Sequence, residues 1–183
     1  MLPFRQRAVV VILTLALVTW PARTRGDKPA EAPLVTRGRV QLNLAGAEKI
    51  IAAAKGKAAG LGVKANIAVV DDGGHLLAFA RMDGARPASA STAQTKAASA
   101  ATFRQETGTL PPGGEPDLLL NLSLRNAAAA GGGKITALKG GVPVVIDGQV
   151  VGAVGVGGGS GEQDAEVAKA GIQALLDEIR DKK

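Results

Sequence analysis

The residue types best suited to ligand chemistry lie in one glycine-rich stretch, GVGGGSGEQD, from Gly155 to Asp164. A dinucleotide-binding fingerprint needs a third glycine at the position of Ser160, so that fingerprint is not met. Backbone N–H groups at the start of a helix, next to glycines that let a ligand approach, favour an anion. We therefore predict that Gly158, Gly159 and Ser160 bind an anion, and that a side chain at Gly158 blocks the ligand more than it harms folding. The alternative is a turn in which the glycines serve only close packing.

The other candidates from residue type are one histidine and two basic residues. His75 is the only histidine and the chain has no cysteine, which excludes a zinc site built from these ligands. No G-x-S-x-G elbow accompanies His75, so the sequence does not indicate a Ser-His-Asp hydrolase; a histidine on the face of a sheet is the alternative. Arg81 can pair with a ligand carboxylate or with Asp83, and Lys96 is either a ligand contact or a solvated lysine.

Composition and charge limit the class of protein. A chain of 183 residues with 46% apolar content can bury one core, which predicts a single globular domain. The net charge of +6 is concentrated at the N-terminus, since residues 1–26 hold four of the 22 basic residues and none of the 16 acidic ones. The remaining chain carries 18 basic and 16 acidic residues and no basic stripe interleaved with aromatic residues. We therefore expect no nucleic-acid partner.

The N-terminal segment has the pattern of an export signal. Two arginines precede an apolar run from Ala8 to Trp20, which has the length of a signal-peptide core. We predict a signal peptide at residues 1–26, with an uncleaved membrane anchor or a buried N-terminal element as alternatives, a linker at 27–41 and the domain at 42–183. The expected location is therefore periplasmic or extracellular.

The elements that must position these residues follow from periodicity. A helix is predicted after Asn43, and a β-hairpin around Asp71–Gly74 places His75 and Arg81 on one strand face. A second helix is predicted for Ser89 to Glu106, with a small alanine face that lets another backbone come close. Further strands are predicted within Lys134–Gly140, Val142–Gly148 and Gln149–Val156, with a last helix after a capping box of Ser160 and Gln163. The pattern of residues 107–133 does not predict a secondary structure.

Three segments together resemble the GlcG/HbpS-like family, also called the haem-degrading or PduO C-terminal-like domain. They are IAVVDDGGHLLAFARMDGA, TKAASAATF and GGVPVVIDGQVVGAVGVGGGSGEQDAEVA, and the resemblance covers Leu42 to Leu176. It implies an α+β, profilin-like single domain with a five-stranded antiparallel sheet and flanking helices. It also implies homo-oligomers, from dimers to octamers, for which we expect the alanine-rich helix to supply the interface.

The resemblance further implies a cofactor and its contacts. Members of the family bind haem or related tetrapyrroles, and some extracellular members work with a membrane sensor protein. Thr107 matches the loop threonine associated with iron ligation, and Arg81, Arg86 and Lys96 are cations for the propionates. The resulting prediction is an exported haem-binding protein for sequestration or sensing, with haem degradation as an added activity of the family. The alternatives are an enzyme or accessory subunit that binds a small anionic metabolite, and a structural oligomer without ligand.

Overall fold

The structure is a computed structural model that describes residue 35 and residues 38–181. The predicted signal peptide, and the predicted linker apart from residues 35 and 38–41, lie outside the described residues. Gly38–Lys183 forms one unit. No helix within the described part of the chain is long and apolar enough to cross a membrane. In chain order the elements are α1 (Leu44–Gly60), β1 (Asn66–Asp71), β2 (Leu76–Arg81), α2 (Ser89–Phe103), α3 (Leu118–Ala130), β3 (Gly141–Ile146), β4 (Gln149–Gly157) and α4 (Gly161–Asp181).

The four strands form one antiparallel sheet in the order β2-β1-β4-β3. The α+β class is therefore confirmed, but the five-stranded sheet is not, because the described residues contain four strands and Lys134–Gly140 is not one of them. In that segment side chains take the place of a neighbouring strand. Thr136 N donates to Ser99 Oγ (2.8 Å), and Leu138 O accepts from Thr107 Oγ1 (2.7 Å). These two backbone groups are thus hydrogen-bonded without a neighbouring strand.

Helices cover both faces of the sheet. On one face α1 and α4 pack around Ile67 and Val69 of β1, and on the other α2 packs around Ala68 and Val70. This alternation is what a strand buried on both faces requires. The central strands therefore determine where the segments that follow them lie. The turn from β4 to α4 is one of these segments.

The approach of α2 to the sheet explains several glycines. A Cβ on Gly155 would lie 2.0 Å from the carbonyl oxygen of Ala93, and a Cβ on Gly141 would lie 2.3 Å from that of Lys96. The alanine face of α2 thus receives another backbone, but this backbone belongs to the same chain. Ala93 and Ala97 are fully buried within the protomer. The alanine face is therefore used within the protomer, and an oligomer interface on the exposed residues of α2 stays a prediction.

A bulge between β1 and β2 and the helix α3 are two local features that the sequence pattern did not predict. The β1–β2 register shifts between Val69 and Val70 and leaves Leu77 without a partner, so side chains before and after this bulge fall out of step. As a result Leu77 packs with the core on the α1–α4 side of the sheet and Phe79 with the core on the α2 side, while His75 lies in the turn before β2. In the segment that gave no prediction, Asp117 caps α3 through a hydrogen bond from Leu120 N (3.0 Å). This helix buries none of its residues.

Candidate functional site

The turn into α4 is a capped helix start. Ser160 N donates to Gln163 Oε1 (3.0 Å) and Gln163 N donates to Ser160 Oγ (3.3 Å), which confirms the capping box. Gly159 N donates to Asp164 Oδ1 (2.9 Å). Two of the amides assigned to an anion are therefore already bonded to side chains in the first turn of α4.

Gly158 has a packing role. Its φ is +149°, and a Cβ there would lie 2.4 Å from the carbonyl oxygen of Lys64. Both observations require glycine independently of any ligand. A side chain at this position would therefore harm folding first, which favours the interpretation of a closely packed turn at Gly158.

A buried ion pair lies directly behind this turn. Lys96 Nζ donates to Asp164 Oδ2 (2.7 Å) and to the carbonyl oxygen of Val156 (2.8 Å). Lys96 is 5% exposed and Asp164 is 2% exposed. A buried pair of this kind repays the loss of hydration only when its other hydrogen bonds are also made. Asp164 meets this condition, because its second oxygen accepts from Gly159 N.

A cavity of about 400 Å³ opens beside the ion pair, and we call it the α4 cavity. It brings together four of the predicted site residues: Arg86, Lys96, Gly158 and Gly159. The rest of its wall comes from the start of α2, the segment before β3 and the start of α4, namely Ala88, Ser89, Thr92, Leu138, Lys139, Gly157, Gly161 and Asp164. Three cations and one carboxylate therefore line it, and Asp164 is already paired with Lys96.

His75 lies elsewhere, in a groove between the β1–β2 turn and α2. The groove has a volume of about 390 Å³ and is bounded by Leu76, Ala98 and Lys134 among others. His75 Nδ1 lies 3.3 Å from Asp71 Oδ1, and the histidine side chain is 78% exposed. We call this site the His75 groove.

Asp71 is held ionised by its surroundings. Burial alone would raise its pKa, but hydrogen bonds from the backbone N–H groups of His75 and Gly73, together with the His75 ring, hold the pKa of Asp71 below its usual value. A carboxylate that accepts from one ring nitrogen orients the imidazole. If Nδ1 carries the proton and donates to Asp71, the lone pair of Nε2 is available to a ligand.

The two remaining predicted residues lie outside both sites. Arg81 is exposed at the end of β2 and lines neither the α4 cavity nor the His75 groove. Thr107 is buried, and its hydroxyl donates to Leu138 O (2.7 Å) and accepts from Gly141 N (2.8 Å). These two bonds tie the segment after α2 to the start of β3. Iron ligation by Thr107 stays a prediction, and it would have to use the remaining lone pair of this hydroxyl.

Two polar residues of this region were not identified as site residues from sequence. Asp164 has the position of an acid that complements the helix dipole, and the pattern does not show that its partner is Lys96, 68 residues away. Asn66 is fully buried on β1, where its Nδ2 donates to Arg86 O (3.0 Å) and its Oδ1 has no partner. A polar residue that opens an apolar strand was the only available signal. Within the described residues, no group of three acidic, histidine or cysteine side chains could hold a metal ion.

Comparison with known proteins gives the family. A family model described as "Haem degrading protein HbpS-like" matches residues 42–173. Among curated proteins, Protein GlcG of Escherichia coli is 44% identical over 110 residues, which cover 60% of this chain and 76% of that protein.

Solved structures share the fold. The crystal structure of the Klebsiella pneumoniae protein ORFY has a TM-score of 0.66 and 33% identity, and the match covers 79% of this chain and 98% of that one. A structure described as a PduOC:haem complex has a TM-score of 0.62 and 28% identity, with 74% and 95% of the two chains covered. The α+β arrangement described above is therefore common to these proteins.

Proposed function

Because this chain belongs to the HbpS-like family, we propose that it binds haem or a related tetrapyrrole. The match to a protein solved as a haem complex supports the same cofactor. Haem, when bound, supplies an iron centre that needs an axial ligand from the protein. The proposal therefore depends on which side chain of this chain can offer one.

The observation that carries the proposal is the geometry of His75. It is the only imidazole in the chain, it borders a groove of about 390 Å³, and its Nδ1 is near the Asp71 carboxylate. A proton on Nδ1 that donates to Asp71 leaves the Nε2 lone pair free for iron. This arrangement of carboxylate, imidazole and metal is the usual one for histidine ligands. His75 and Asp71 thus fit the group.

The walls of the His75 groove fit a porphyrin edge in chemical type. Leu76, Val70 and Ala98 are apolar, Gly132 and Gly133 add no side chains, and Lys134 supplies a cation for a propionate. The groove is open to solvent at His75, so one edge of a bound macrocycle stays exposed. This exposure predicts modest affinity and ready exchange of haem, which favours sensing over sequestration.

Further properties implied by the resemblance remain part of the proposal. Export rests on the segment at residues 1–26, and haem degradation and a membrane sensor partner rest on the family alone. Assembly into homo-oligomers agrees with the exposed leucines of α3, because exposed apolar patches commonly mark contacts between proteins. Leu118 and Leu119 are the most exposed of these leucines.

A hemin titration of the whole chain tests the proposal. We expect a saturable Soret shift for the unmodified protein, loss of this spectrum in His75→Ala, and its recovery when free imidazole is added to that variant. Imidazole can replace the missing ligand only if the remainder of the groove is intact. Thr107→Val serves as the comparison, since it removes the alternative oxygen ligand and leaves His75 in place.

Each other outcome has a definite meaning. If the unmodified protein gives a non-saturating spectrum, haem binding is wrong. If Thr107→Val loses the Soret shift while His75→Ala keeps it, the ligand is Thr107 and the His75 groove is wrong. Circular dichroism of each variant shows whether a lost spectrum reflects ligation or folding.

A further inference from the structure

The α4 cavity has charged side chains whose hydrogen-bonding capacity the contacts among the described residues do not use fully. Arg86 is exposed and has no carboxylate partner among the described residues. Its backbone is held at the rim of the cavity, because its carbonyl oxygen accepts from the fully buried Asn66 (3.0 Å). An arginine held at the rim of a cavity presents a planar fork that suits an oxyanion.

The buried wall of the cavity supplies two further donors. The Lys96 ammonium has three N–H bonds, and the described residues accept two of them. Ser89 is 6% exposed and lines the cavity, and its hydroxyl has no hydrogen-bond partner among the described residues. Among the described residues the only fully buried side-chain polar atom without a partner is Asn66 Oδ1, so the Ser89 oxygen is open to whatever fills the cavity. The donors of Arg86, Lys96 and Ser89 therefore border one space.

We propose that the α4 cavity binds a small organic oxyanion, a carboxylate or phosphate of metabolite size. Asp164 does not oppose this charge, because Lys96 and Gly159 N already bond its two oxygens. Lys139 is paired with Glu162 at the rim, so Arg86 and Lys96 are the cations that face the ligand. The volume of about 400 Å³ lies within the range of roughly 300–1,000 Å³ of small-molecule sites.

The inference does not rest on haem binding. The His75 groove lies beside the β1–β2 turn and shares no lining residue with the α4 cavity. Loss of one function therefore does not imply loss of the other. Hemin titrations and anion titrations of the same variants keep the two apart.

The experiment measures thermal stabilisation and binding heat of the full chain with acetate, succinate and inorganic phosphate. Sodium chloride keeps the ionic strength equal in every sample, because screening alone changes stability. We expect at least one anion to raise Tm and to saturate. The carboxylate and phosphate arms then show which oxyanion the site prefers.

Two variants assign the binding to the cavity. Arg86→Gln should weaken binding by roughly 10- to 100-fold, the loss expected for a charge-assisted hydrogen bond, without a change in the ligand-free Tm. Ser89→Ala should weaken it by about 3- to 10-fold. Arg81→Gln is the matched control, since it removes an arginine that is also exposed but lies outside the cavity, and it should leave binding unchanged.

Three results would overturn the proposal. The first is no stabilisation beyond that of sodium chloride with any of the anions. The second is equal weakening in Arg86→Gln and Arg81→Gln, which would indicate an effect of net charge. The third is unchanged affinity in both Arg86→Gln and Ser89→Ala. Anion binding by His75→Ala, measured in parallel, should equal that of the unmodified protein, because His75 does not line the α4 cavity.

Discussion

The α4 cavity and the His75 groove place their polar groups in opposite ways. In the α4 cavity Lys96 and Asp164 are buried and also join α2 to α4. In the His75 groove the histidine is largely exposed, and its hydrogen bonds among the described residues are to its own turn. The charged residues of the α4 cavity therefore also stabilise the fold, whereas the His75 side chain contributes little to its stability.

This difference determines which substitutions change ligand binding without also changing stability. Removing a buried partner leaves an uncompensated charge, so the change in ligand binding is hidden by a change in stability. Removing an exposed side chain leaves the fold nearly unaffected. Arg86 is the useful exception, because it lines the buried cavity and is itself exposed.

The largest expected effect comes from a substitution that breaks the buried Lys96–Asp164 ion pair. Lys96→Met leaves the Asp164 carboxylate buried without its cation, and it should lower the free energy of unfolding by about 3 to 5 kcal/mol. Urea denaturation of the variant and the unmodified protein measures the difference. His75→Ala should change it by less than about 0.5 kcal/mol.

A double variant sharpens this result. Asp164→Asn combined with Lys96→Met removes the buried charge while an amide oxygen can still accept from Gly159 N. The double variant should therefore be more stable than Lys96→Met alone. If it is less stable, the charge on Asp164 is not the source of the loss.

The second effect compares one glycine from each site. Gly158→Ala should cost about 1 to 3 kcal/mol or more, because its Cβ would lie 2.4 Å from the Lys64 carbonyl oxygen. Gly74→Ala in the His75 groove also requires positive φ, but its Cβ would meet Ala98 at an ordinary 3.4 Å. It should cost less, and thermal melts of both variants measure the two losses. Equal losses would mean that backbone conformation alone sets the cost.

These two glycines also show what sequence could predict. The capping box at Ser160 and the hairpin at Asp71–Gly74 are local patterns, so spacing was enough to find them. The packing need at Gly158 depends on Lys64, far away in the chain, and no spacing rule contains it. The segment Lys134–Gly140 has β-type residues, yet tertiary hydrogen bonds to Ser99 and Thr107 decide its path.

The candidate site residues could likewise be predicted only in part from the sequence. The family motifs identified Arg86, Lys96 and His75 as residues of interest, but not that the first two share a cavity which excludes the third. The separation arises because the α4 cavity is formed where β4 ends and α4 begins, whereas His75 lies in the β1–β2 turn. Both positions are set by strand pairing and packing, which a single sequence specifies only through the whole fold.

The smallest expected effect tests the independence of the His75 groove through pH. The pKa of Asp71 is lowered in the folded protein from its usual 3.8, so its ionised form contributes stability above that value. This contribution is lost as the pH falls through the lower, folded pKa. Asp71→Asn should therefore be less stable than the unmodified protein at pH 6, and the difference should shrink toward pH 3.

The effect is small because water screens a carboxylate whose side chain is 36% exposed. Urea midpoints of both proteins at several pH values between 3 and 6 measure it. A difference that stays constant over this range would show that Asp71 acts through neutral hydrogen bonds rather than through its charge. A large difference at pH 6, comparable to that of Lys96→Met, would instead mean that the His75 groove supports the fold as the α4 cavity does.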